Sequence, residues 1–148
     1  MIRWRTIGIG LGLLFAGCAT HLEQPSFFEA TMVPRDLKPL DTALITVKVD
    51  DTFGVVSSVE GSVLEDTTIR FHFRDDGQLS DAVAQDGIWT TKVQAPFNAP
   101  PGGFTFEIQA FDKSSNPIVV LDENKEAMPL SMSFTLNITY PDAEADAP

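Results

Sequence analysis

The sequence predicts an all-β chain folded as an antiparallel β-sandwich of about seven strands, and three observations carry that reading. Apolar residues alternate with a period of two in four separate stretches, as half-buried strands require. Turn chemistries built on Asp, Gly, Pro and Asn recur between the stretches. Ten prolines in 148 residues, together with many Val, Ile, Thr and Phe, disfavour helical bundles and favour pleated surfaces.

The first strand is placed at residues 27–33 and stops before Pro34-Arg35-Asp36. The second, 42–49, follows Lys38-Pro39 and alternates Ala43, Ile45, Val47 and Val49 with Leu44, Thr46 and Lys48, so one face is core. Asp50-Asp51 turns the chain into a third strand at 55–63. The fourth, 67–74, sets Thr67, Ile69, Phe71 and Phe73 against Thr68, Arg70 and His72. Asp75-Asp76-Gly77 and Asp86-Gly87 bound the connection to the fifth, 88–95, where Trp89 is in phase with Thr91 and Val93. Residues 100–103, Pro-Pro-Gly-Gly, lead into the sixth, 103–111, with Phe104, Phe106, Ile108 and Ala110 on its core face.

A long connection follows Asn116-Pro117; in it, residues 118–121 are read as an extra edge strand and 123–128 as a short helix. The seventh strand, 132–140, interleaves Met132, Phe134, Leu136, Ile138 and Tyr140 with Ser133, Thr135, Asn137 and Thr139. Seven short strands with turns between them fit two packed sheets. A domain of this size buries about two-thirds of its unfolded surface, enough to fold without cross-links.

Composition narrows the function. A formal charge of −11 leaves little attraction for phosphate backbones, so nucleic acid is not an expected partner. The length excludes a dinucleotide-binding fold plus a second domain. One cysteine excludes an intrachain disulfide.

That cysteine sits in an address. Arg3 and Arg5 precede an apolar run at residues 7–17, shorter than the about 20 residues a bilayer crossing needs and shaped like a secretory signal. Leu14-Phe15-Ala16-Gly17-Cys18 resembles the lipobox of bacterial lipoproteins, with Phe15 where that family usually has Leu. The resemblance implies a signal peptide at 1–17, acylation of Cys18 by diacylglycerol and palmitoyl-type chains, and a lipidated tether at 18–26. Ala19 after the cysteine implies sorting to the bacterial outer membrane. Ordinary cleavage after Ala19 is the alternative reading. Removing both arginines makes the remaining chain more acidic still, so anchoring would rest on acyl burial, about 0.8 kcal/mol per CH2, and not on charge. With Cys18 acylated, thiolate catalysis and Cys-ligated metal are excluded. The globular domain is 27–140, and 141–148 reads as an acidic disordered tail.

Within the domain, the strand 42–49, the segment from Asp75-Asp76-Gly77 through Asp81 and Asp86-Gly87 to Trp89, and the stretch 103–112 with Asn116 together resemble bacterial immunoglobulin-like domains of the choice-of-anchor type. The resemblance implies an immunoglobulin-like sandwich and a non-enzymatic binding, spacer or adhesion role in the cell envelope, with an envelope protein or polysaccharide as partner.

Catalytic chemistry is scarce. The two histidines, His21 and His72, fall in the tether and on an outer strand face, so they offer neither a metal pair nor a triad base. No nucleophile elbow, phosphate loop or zinc-protease motif occurs, and no cleft former is visible. The expectation is a non-enzyme. Asp75, Asp76, Asp81 and Asp86 are the candidate calcium ligands, because hard cations take several oxygens. The competing reading is that Asp and Gly close an irregular connection by bonding their own backbone. Trp89 could be a sugar-stacking platform or a core tryptophan; the former goes with a carbohydrate-binding module facing peptidoglycan or exopolysaccharide, and asks that Trp89 and Tyr140 be exposed and close together. Strand parity gathers the connections after the second, fourth and sixth strands at one end, which makes that pole strongly negative.

Overall fold

The computed structural model describes residues 23–140. Every described element is a strand: β1 Ser26–Val33, β2 Asp36–Leu37, β3 Thr42–Asp50, β4 Ser58–Val63, β5 Asp66–His72, β6 Ile88–Gln94, β7 Gly102–Phe111, β8 Val119–Leu121, β9 Ala127–Pro129 and β10 Ser131–Ile138. The expected signal peptide at 1–17, the acylated Cys18, most of the tether and the acidic tail at 141–148 lie outside the described residues.

Two sheets face each other, one ordered β1-β3-β6 and one ordered β2-β10-β7-β4-β5. The chain passes from the first to the second at Pro34-Arg35, so its opening segment supplies an edge to both. β2 pairs with β10 in parallel, whereas the other strand pairs are antiparallel. This order is immunoglobulin-like, with β5 attached to the larger sheet beside β4.

Alternation in the sequence becomes burial in the fold. Ala43, Ile45 and Val47 are fully buried from β3, and Phe106, Ile108 and Ala110 from β7. Phe106 lies directly opposite Phe134 on β10, and the rings stack with centroids 5.3 Å apart. Phe71 on β5 stacks on Phe106 from its other side at 5.4 Å. Thr90 breaks the β6 alternation and is buried although Trp89 and Thr91 flank it. The cause is an isolated bridge to Arg74, whose N–H and carbonyl both bond Thr90 at 2.8 Å.

Two expectations about the long connection meet different outcomes. Residues 119–121 do form a strand, but it pairs with β9 in a separate two-stranded sheet. The helix expected at 123–128 is a hairpin turn instead. One Asp122 carboxylate oxygen accepts the N–H groups of Asn124 and Glu126 at 2.8 Å, and Lys125 takes a positive φ of 64°. A side chain bonding its own backbone in this way competes with helical hydrogen bonding. The third strand is also shorter than expected and starts at Ser58, because the Asp51 carboxylate holds Val55 N and Val56 N as a loop.

Candidate functional site

β5 and β6 are edge strands of different sheets, and they meet along a seam. At one end the Arg74–Thr90 bridge closes it. At the other end no described bond joins the start of β5 to the end of β6, and a half-open cavity of about 500 Å³ lies there between the sheets. Its floor and walls are apolar: Phe104 and Phe106 from β7, Ile69 and Phe71 from β5, Val93 from β6, and Leu136 and Ile138 from β10. The connection from Ala95 to Pro100 forms one lip, with Ala99 O accepting the Tyr140 hydroxyl at 2.7 Å. Glu65 and Asp66, at the β4–β5 turn, form the other.

This corrects the expectation that no cleft former exists. Each of the seven apolar wall side chains belongs to the inward-facing set that alternation identifies, yet alternation does not tell whether an inward side chain meets a partner. Volume, apolar walls and a few polar groups at the mouth are the features of a small-molecule site.

The lip acids hold their charge. Both Glu65 carboxylate oxygens accept the Thr105 N–H at 2.9 Å, which pulls its pKa below the ordinary glutamate value. Asp66 takes the Thr68 hydroxyl at 2.6 Å and the Thr68 N–H at 3.1 Å, and is lowered likewise.

The opposite pole carries the acidic segment. Asp50 at the end of β3, Ile88 at the start of β6 and the paired Ser58 and Phe111 put the three connections expected to share an end on one side of the sandwich. Of the four candidate calcium ligands, Asp75, Asp81 and Asp86 come together, with one carboxylate oxygen from each inside a 4.8 Å cluster. Asp76 does not join them; it faces Arg74, two residues back, at 2.8 Å. The three clustered acids serve the loop's own backbone. Asp75 accepts Asp86 N and Gly87 N, Asp81 accepts Gly77 N, and Asp86 accepts Ile88 N. Gly77 and Gly87 both take positive φ, 69° and 78°, which only glycine adopts at no steric cost. Asp75 is pushed above the usual aspartate value, first by burial and then by the charges of Asp86 and Asp81, against the pull of its two backbone N–H bonds. The loop-closing reading therefore has its bonds on view, and the three carboxylates supply only part of the about six to eight oxygens that calcium takes.

Trp89 packs half-buried on the main core, opposite Val47. Tyr140 is 47% exposed and stands at the cavity pole, whereas Trp89 is at the acidic one. The strand between them spans roughly 20 Å, so these two aromatics form no joint platform. His72 is 77% exposed beside Glu60 on the outer face of β5.

No family model and no curated protein matches this chain. Among solved structures, a Niemann-Pick type C2 protein from the Japanese carpenter ant is similar over 79% of this chain and 94% of that one, at 14% identity and a TM-score of 0.41.

Proposed function

We propose that this chain is a non-catalytic binding module of the bacterial cell envelope, held at the outer membrane through acylated Cys18, that takes a small apolar molecule between its sheets. The observation that supports it is the seam cavity: a sandwich whose sole task is spacing gains stability by closing its sheets, and this one leaves an apolar-lined space of about 500 Å³ between them. Burying about ten methylene equivalents there would contribute roughly 8 kcal/mol before the costs of association, so about 1 µM is the tightest binding this burial alone supports.

Position supports the same reading. β1 begins at Ser26, paired with Asp50 at the acidic pole, so the tether enters at the end remote from the mouth. A lipid on Cys18 would hold the mouth roughly 25 to 30 Å beyond that end, facing away from the anchoring leaflet. Replacing Cys18 by Ser should move the chain out of the membrane pellet or leave it unprocessed; wild-type maturation and pelleting of that variant would end the lipoprotein reading.

The cavity is tested with the neutral fluorescent probe N-phenyl-1-naphthylamine. Wild type is expected to bind one equivalent with a blue-shifted rise in emission. Ile69→Trp places a larger ring from the half-buried wall into the cavity and should weaken binding by about tenfold, with a melting temperature within a few degrees of wild type. Probe binding that is unchanged in Ile69→Trp would place the site elsewhere. The carbohydrate reading loses its aromatic pair to the separation of Trp89 and Tyr140 and has no other support among the described residues.

A further inference from the structure

We infer that the cavity selects by charge: it accepts apolar molecules with an uncharged or cationic head and disfavours those with a carboxylate. This rests on the cavity reading above and adds the head-group chemistry to it. The walls fix only an apolar body. The head group of an occupant stays at the mouth, where the polar lining residues are Glu65, Asp66, Gln94 and Asn98, and where no Lys, Arg or His takes part.

Both acids are fixed in place and ionised. Both oxygens of Glu65 accept the Thr105 N–H from β7, which holds the carboxylate at the lip. Asp66 is locked onto Thr68 by two bonds. Each carboxylate already has N–H or hydroxyl donors, and neither has a cation at salt-bridge distance among the described residues. A carboxylate head arriving beside them meets two like charges and, among the lining residues, no compensating one. An alcohol or amide head instead finds acceptors in these acids and a carboxamide in Asn98, and an ammonium head finds two counter-charges. Because the lip is solvent-exposed, the discrimination is modest and salt-sensitive, about three- to tenfold at low ionic strength.

The test displaces N-phenyl-1-naphthylamine from the full chain with dodecanol, dodecylamine and dodecanoate, three competitors that share one twelve-carbon tail. At pH 7.5 and low salt, dodecanol and dodecylamine should displace the probe at concentrations about three- to tenfold below dodecanoate. The gap should shrink in Glu65→Gln with Asp66→Asn, and also in wild type at 0.5 M sodium chloride, a condition that needs no substitution. Equal or tighter competition by dodecanoate, or a gap that persists through both changes, overturns the charge selection and leaves the cavity standing. If the probe fails to bind wild type at all, the cavity reading falls and the selection falls with it.

Discussion

Phe106→Ala is expected to lower the unfolding free energy by about 3 to 5 kcal/mol, the upper range for truncating a single core side chain. The ring is fully buried, lies between Phe71 and Phe134 at 5.4 and 5.3 Å, and meets Phe73 edge-on at 6.5 Å. Truncation removes three aromatic contacts at once. It also joins the space left behind to the cavity that Phe106 already lines, so the site cannot collapse to recover packing. Gln109→Ala, further along β7 on its opposite face, should lose about 0.5 kcal/mol or less. Denaturant melts of the two variants give the comparison, and small, equal losses would contradict the packing described for β7.

Gly61→Ala should cost about 1 to 3 kcal/mol, for the opposite reason. A Cβ at position 61 would stand 2.5 Å from Phe106 Cε1 and Cζ and 3.2 Å from Phe73 Cε2. The glycine sits in mid-strand on β4, between Val59 and Val63, where its lack of a side chain would ordinarily be a weakness. Here the Phe106 ring occupies the space a side chain would take, and the stacked rings on either side leave it nowhere to go. The two losses should therefore be coupled. In a Phe106→Leu background the shorter side chain relieves the clash, and the added cost of Gly61→Ala should fall below about 0.5 kcal/mol. The same cost in both backgrounds would show that something other than this contact disfavours alanine.

Gly61 marks the boundary between what the sequence reveals and what only the assembled fold does. The strand phase is legible, because a strand buried on one side must alternate, and Ala43, Ile45, Val47, Phe106 and Ile108 do so without exception. The parity of the antiparallel strands is legible too, and with it the pole where Asp75, Asp81 and Asp86 gather. Asp76 falls outside that group because its partner, Arg74, is a local choice that spacing alone does not reveal.

The turn after β8 and most of β9 read as a helix because Glu123, Lys125, Glu126, Ala127 and Met128 are good helix formers. What decides the segment is the Asp122 carboxylate on its own turn together with Gln24, whose amide bonds both Leu121 N and Leu121 O from 97 residues away. The cavity is illegible for a deeper reason. Ile69, Phe71, Val93 and Leu136 carry the same inward-facing signature whether two sheets close on them or splay apart. The splay depends on where β5 and β6 stop bonding, a property of the assembled seam.

The seam is tested most directly by following methyl resonances of the isotopically labelled full chain while N-phenyl-1-naphthylamine is titrated in. Occupation of the cavity should shift Val63, Ile69, Val93, Leu136 and Ile138, which line it, and leave Ile118 and Val120 at the acidic end unmoved. Shifts centred on Ile118 and Val120, or the absence of shifts at saturating probe, would contradict a binding site between the splayed sheets.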